Sequence, residues 1–203
     1  MEKVSIIIPY NQDRGYLNEA IASVERQSYK NIELILSKSP GGVSFNINRG
    51  IEKATGRYIK YLCDDDRLTQ CSIELSVQAM NGYDFIHGNA INFYPNGQVE
   101  YHRPMVRRPT LKQLLVHNHI HGGTLMYDRS VFERFGKFCE ALWTGEEYEF
   151  NLRLLDKGAR IGYCNADLYE YRRHTGKKSI GNMESDYQKQ RREAINDIKS
   201  IYQ

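Results

Sequence analysis

Three adjacent aspartates, Asp64-Asp65-Asp66, are the residues here whose type and spacing speak most directly of chemistry. Neighbouring carboxylates repel one another. A hard divalent cation offsets that repulsion through oxygen ligands and keeps open positions for substrate phosphates, so Mg²⁺ or Mn²⁺ is the cofactor such a cluster suggests. A solvated Asp-rich turn has the same composition. A second acidic pair, Glu146-Glu147, opens a stretch with apolar residues at helical spacing. The positive end of the helix dipole would keep a carboxylate ionised there, although an ordinary acidic first turn looks alike. His117, His119 and His121 alternate and would share one face of an extended segment. Zinc would want a further ligand close by, and none stands near in sequence, so a groove wall or a wet surface is the expectation.

The elements around these residues set where they can point. Val4–Ile8 is an almost continuous β-branched run, which is how a strand buried on both faces reads. Leu17, Ala20, Ile21 and Val24 predict an amphipathic helix over Tyr16–Gln27. Ile32–Leu36 reads as a second strand. The turn Pro40-Gly41-Gly42 leads into a predicted helix over Val43–Thr55, with Gly56 as its stop. Tyr58–Leu62 reads as a third strand running straight into the acidic cluster. Alternation of strands and helices implies a parallel sheet with helices on its faces, and ligands of such sheets bind beyond the carboxyl ends of the strands. Further on, Asp84–Gly88 reads as a strand, and Asn96-Gly97 marks a two-residue hairpin between Ala90–Tyr94 and Gln98–His102. Glu146–Lys157 reads as a helix stopped by Gly158, followed by short strands at Ile161–Cys164 and Leu168–Tyr171. Ile195, Ile198 and Tyr202 predict a C-terminal helix that caps the domain or pairs with a second copy.

At 203 residues, with 40% hydrophobic residues, the chain suits one domain with a real core. A net charge of +3 fits a small anionic ligand and is too weak to argue for nucleic acid. Cys63, Cys71, Cys139 and Cys164 match no metal spacing, so free thiols in a reducing compartment are expected. The sequence opens into a strand without a basic-then-apolar leader, and no apolar run approaches the roughly 18 residues of a membrane span. The expectation is a cytoplasmic protein with at most peripheral contact at the inner membrane face; Arg103, Arg107 and Arg108 could meet phosphates of a lipid-linked acceptor or an anionic membrane, but a solvated loop is the commoner reading of such a stretch.

Taken in order, the segments VSIIIPYN (Val4–Asn11), YLNEAIASVERQSY (Tyr16–Tyr29), the stretch from Gly41 to Asp66 ending in DDD, GEEYEFNLRLLDKG (Gly145–Gly158) and YRRH (Tyr171–His174) resemble the family 2 inverting glycosyltransferases with the GT-A fold. The resemblance runs from Val4 to about Ser179. It implies one α/β domain with a mostly parallel, Rossmann-like sheet and a small antiparallel element in its C-terminal half. Residues 1–82 would bind the nucleotide-sugar, 83–180 the acceptor, and 181–203 would form the terminal helix. It implies transfer of a sugar from a nucleotide-sugar, a UDP-sugar first among them, to a hydroxyl of a glycan or lipid-linked acceptor, with Mn²⁺ or Mg²⁺. Pro9, Tyr10, Asn11, Asn48, Asp64, Asp65 and Arg172 would bind the donor. Asp65, Asp66 and His174 would hold the metal. Glu147 would be the catalytic base, and His121, Gly122, Gly123, Trp143 and Glu146 would line the acceptor side. Lys177-Lys178 falls in a stretch that often closes over the donor in this family.

The sequence departs from the family pattern at several positions. Lys38 and Ser39 stand where a pair of aspartates is usual, Ile47 where many members have an arginine, and Cys63 where the metal motif usually begins with aspartate. One helix–strand unit before Gly41-Gly42 is missing. A non-catalytic relative that kept the fold is therefore a second expectation. A sugar nucleotidyltransferase is a third, opposed by the absence of a Gly-rich basic loop over Pro9–Gly15.

Overall fold

The computed structural model describes residues 1–174 and 186–203; Lys177-Lys178 lies outside them. Its strands are β1 (Val4–Tyr10), β2 (Ile32–Lys38), β3 (Tyr58–Tyr61), β4 (Arg67–Leu68), β5 (Phe85–Phe93), β6 (Val99–His102), β7 (Met126–Asp128) and β8 (Ile161–Arg172). They form one sheet in the order β2-β1-β3-β7-β5-β8-β4, with β6 paired to β5. β1 is parallel to β2 and β3, β7 is antiparallel to both of its neighbours, and β5 runs parallel to β8. Two antiparallel steps through β7 restore direction, so β1, β2, β3, β5 and β8 all end at one edge. The acidic cluster after β3 and His174 after β8 therefore meet, although more than a hundred residues of chain separate them.

Helices α1 (Leu17–Glu25), α2 (Val43–Lys53), α3 (Ser72–Ala79), α4 (Leu111–Val116), α5 (Ser130–Phe135), α6 (Glu146–Asp156) and α7 (Asp186–Ser200) cover the sheet. Alternate residues of a strand point to opposite faces. Ile7 accordingly joins Ile47, Tyr127, Phe132, Phe138 and Phe150 in one core, while Val4, Ile6 and Ile8 join Leu17, Val24, Ile73 and Leu168 in the other. This two-sided burial is why β1 shows no apolar–polar alternation. No helix among the described residues is long and apolar enough to cross a membrane, and all four cysteines are free thiols.

Several expectations shift in detail. The hairpin loop holds three residues, Pro95-Asn96-Gly97, because Tyr94 pairs with Gln98 and Gly97 takes the left-handed φ of +84°. The two predicted strands around Asn165 are one long β8, kept continuous against β5 by irregular register at Asn89. Gly56 is not the helix stop: α2 ends at Ala54 in an extended conformation. A Cβ at Gly56 would lie 2.6 Å from Ser5 Oγ and 2.7 Å from its backbone nitrogen, so close backbone approach is what requires glycine there. β4 and α3, which carry weak periodicity, were not expected.

Candidate active site

Tyr58–Tyr61 is buried along its length and delivers the acidic turn to the strand-end edge. There the three aspartates separate by environment. Asp66 turns inward and is 1% exposed. Its Oδ1 accepts the Arg172 backbone N–H at 2.7 Å and its Oδ2 accepts the Tyr169 hydroxyl at 2.7 Å. Burial, and after it the Asp65 carboxylate, pushes Asp66 up to about 8. Asp64 and Asp65 face outward, and the Arg14 guanidinium bridges them at 2.8 and 2.9 Å. His174 Nε2 lies 3.0 Å from Asp65 Oδ2, with its ring edge-on to Tyr16 at 5.4 Å.

Behind this turn Tyr169 acts as a peg. It is 1% exposed, and its hydroxyl also accepts the Cys63 backbone N–H at 3.2 Å. Tyr169→Phe strands both groups, and the cost of an unsatisfied buried polar group sets the expected loss of stability at about 1–3 kcal/mol. Chemical denaturation measures it; an unchanged midpoint would show that the peg holds nothing.

A cleft of about 520 Å³ opens beside the aspartates, lined by Pro9, Tyr10, Asn11, Arg14, Gly41, Gly42, Asn46, Asp64, Trp143 and Glu146. The Gly41-Gly42 wall is fixed by Asn46, whose amide donates to the carbonyls of Gly41 and Gly42 at 3.1 and 3.3 Å. Gly145, with φ +74°, turns the chain so that the first two residues of α6 point into different spaces. Glu146 faces this cleft. Glu147 faces a smaller recess of about 180 Å³ between α4, α6 and α7. Burial raises both carboxyl groups above the usual range, with their mutual repulsion adding to it for Glu146, while Arg191 of α7 works in the opposite direction. Glu147 packs on the small-residue turn at Gly122: a Cβ there would lie 2.7 Å from its Cγ and 3.1 Å from the Tyr61 hydroxyl oxygen.

No protein-family model matches the chain. An uncharacterized glycosyltransferase of Rickettsia conorii is 28% identical over 219 residues, covering 88% of this chain and 36% of the relative. The Campylobacter jejuni GalNAc(5)-diNAcBac-PP-undecaprenol beta-1,3-glucosyltransferase is 26% identical over 120 residues, covering 45% of this chain and 39% of that enzyme. Staphylococcus aureus TarS 1-349 in complex with UDP-GlcNAc superposes with a TM-score of 0.73 at 15% identity, covering 97% of this chain and 65% of that one. The chain has the GT-A-type fold of TarS, and its sequence is similar to those of the curated glycosyltransferases. It spans little more than a third of the length of the first two curated relatives, at 36% of each.

In this GT-A chain the structure brings Pro9, Tyr10, Asn11, Asp64, Trp143 and Glu146 to one cleft. Trp143 and Glu146 thus lie on the side expected for the donor. Three further residues differ from the sequence expectation. Asn48 is 5% exposed and points away from the cleft: its amide donates to Phe138 O at 2.9 Å and Glu140 Oε1 at 2.7 Å, and its Oδ1 accepts from Phe138 N–H. Asp66 is no outward metal ligand, because both its oxygens are engaged inside the fold. Arg172 is a clamp rather than a free cation: it donates to the Asp65 carbonyl at 2.7 Å, pairs with Glu19 at 2.7 Å, and lies over the Tyr16 and Phe93 rings. His121 is wedged among His102, Tyr169 and Tyr171. Burial lowers it to about 3, so it stays neutral near pH 7. Gly123 is buried where a Cβ would overlap the Tyr169 ring.

The departures from the family pattern also find places. Lys38 Nζ stands 5.7 Å above the Tyr10 ring, Ser39 donates to Asn46, and Ile47 is core. Cys63 is pushed well up by burial and then by Asp66 and Asp65, which keeps it a thiol and a poor partner for a hard cation. In the basic loop Arg103 pairs with Asp167, Arg107 lies over Tyr163 and Arg108 donates to Tyr83, and all three remain exposed. Sequence reasoning missed Arg14, Tyr61 and Arg191. Only Arg14 left a signal, as a cation inside the loop after β1.

The donor set for a divalent ion comes down to Asp65 and His174, and no group of three or more His, Cys, Asp or Glu gathers for one among the described residues. The two are types that bind such an ion, but here they bond each other at 3.0 Å and the same Asp65 oxygen accepts from Arg14 at 2.9 Å, so an ion would have to displace both contacts. Remaining positions would fall to water and substrate phosphate, as Mg²⁺ usually arranges.

Proposed function

We propose that this chain is an inverting glycosyltransferase that moves a sugar from a nucleotide-sugar onto an acceptor hydroxyl. The observation that carries the reading is the split at the start of α6: Glu146 opens on the cleft shared with Asp64 and Tyr10, and Glu147 opens on a separate recess. A donor in the first and an acceptor in the second would meet at one helix N-terminus, as direct displacement at the anomeric carbon requires. Glu147 would take the acceptor's proton, and the positive end of α6 would favour the carboxylate as it does so. Asp65 and His174 would hold Mn²⁺ or Mg²⁺, which supplies positive charge against the leaving diphosphate. Tyr10, Asn11 and the Gly41-Gly42 wall would seat the nucleotide. UDP-sugars are the donors to test first, because TarS, which shares the fold, is seen with UDP-GlcNAc.

Calorimetric titration with UDP, GDP and their sugars, with and without Mn²⁺, tests the reading. We expect metal-dependent binding of one nucleotide, weakened about 10–100-fold in Asp65→Ala, the range for disturbing a metal site. Absence of binding by any nucleotide under either condition would overturn it and leave a non-catalytic relative, which Lys38 over Tyr10 and the buried Ile47 would then explain.

A further inference from the structure

The recess in front of Glu147 is completed by α7, and its character is not that of a neutral sugar groove. Arg191, Ile195 and Lys199 stand at i, i+4 and i+8 of that helix and all line the recess, facing His117, Asn118 and Glu147. The helix is docked rather than loosely laid on. Ile198 is 2% exposed, Ile195 and Ile198 pack over Gly145, and the Tyr202 hydroxyl just beyond the helix donates to Glu149 Oε1 at 2.8 Å. Among the described residues Lys199 has no ion-pair partner, and the hydrogen bond of Arg191 is from Nε to Thr144 Oγ1 at 3.2 Å. Two cations on one helix face, about 12 Å apart along the axis, thus look across a recess whose single carboxylate is Glu147. Both side chains are long enough to converge on one group. A planar guanidinium and an ammonium together suit an acceptor of several charged oxygens.

We propose that the acceptor carries a phosphate group, and that Arg191 and Lys199 of α7 hold it while presenting the neighbouring hydroxyl to Glu147. This rests on the transferase reading above and adds the chemical class of its acceptor. Val116, 78% exposed at the mouth of the recess, would leave room for an apolar continuation of that acceptor. The phosphate could therefore belong to a lipid-linked or to a soluble molecule.

The test is calorimetric, on the whole chain. Geranyl phosphate is compared with geraniol, and glucose 1-phosphate with glucose and with glucuronate, while UDP binding is followed in the same samples. At least one phosphate probe should bind about tenfold more tightly than its neutral partner, the effect of one charge-assisted contact, and added salt should erode that preference. The preference should fall about tenfold in Lys199→Ala and in Arg191→Gln, recover in part in Arg191→Lys, and leave UDP affinity unchanged. Preference for geranyl phosphate assigns a lipid-linked acceptor, and preference for glucose 1-phosphate a soluble one. Equal binding of charged and neutral probes, no binding of either phosphate, or tighter binding of glucuronate would overturn the proposal. Loss of UDP binding alone would instead strike at the transferase reading, since UDP belongs to the other cleft.

Discussion

Glu147→Gln is expected to lower the transfer rate about 10²–10⁴-fold, the usual contribution of a positioned general base, with nucleotide affinity unchanged. The substitution keeps the volume and removes the charge, so packing on Gly122 and Tyr61 is preserved. Nucleotide affinity should hold because Glu147 opens on the recess rather than the cleft. The pH profile gives a second reading. Burial raises Glu147 above the ordinary carboxyl range, and a base works only when ionised. Activity of the natural chain should therefore fall as pH drops through that raised value, and residual activity in Glu147→Gln should lose this limb. Steady-state kinetics with the donor identified by titration would check both. Undiminished turnover in Glu147→Gln would move the base elsewhere, with Glu146 the next carboxylate to examine.

The largest expected effect on stability concerns Lys60, which is fully buried in β3. Its Nζ donates to the carbonyls of Gly123 and Leu125 at 3.0 and 3.1 Å, tethering the turn on which Glu147 packs. Burial lowers the amine to about 7, with Cys164 acting weakly in the opposite direction. A neutral amine still has two N–H donors, enough for both carbonyls, so deprotonation costs the tether nothing. The unfolded chain holds its proton to about 10.4. Between these values the unfolded state binds more protons than the folded one, so stability rises with pH by up to about 1.4 kcal/mol per unit, and is lost as pH falls toward 7. Lys60→Met should abolish that contribution. Near pH 10.4, where the penalty for shedding that proton has vanished, it should destabilise by about 1–3 kcal/mol, because the two carbonyls lose their donor; as pH falls toward 7 the difference should shrink or reverse. Urea denaturation of both proteins across this range is the measurement. Equal pH slopes would mean that Lys60 stays protonated in the fold.

The sequence alone carried the first strands and helices. Their apolar runs are long and regular, and β1 reads as buried on both faces because it is. It also carried the acidic turn after β3, the glycine wall and the acidic start of α6, since each is a local pattern set by neighbouring residues. Short elements such as β4 and α3 escaped it, having too few residues to show a period. What it could not carry was the choice among equals. Nothing local distinguishes Asp64, Asp65 and Asp66, yet Tyr169 and Arg172 of β8 draw Asp66 inward and leave the other two to Arg14. Asn46 and Asn48 sit two apart on one helix, and only packing against Phe138 decides that Asn48 belongs to the interior. Arg172 reads as a phosphate-binding cation until Glu19 and the Asp65 carbonyl are seen to hold it. Arg191 and Lys199 become part of the site only because Ile195 and Ile198 dock α7 on Gly145. A sequence fixes which groups exist and how neighbours along the chain are spaced. Which groups face water, and which are consumed by partners a hundred residues away, depends on burial and pairing across the sheet, and only the tertiary structure settles that.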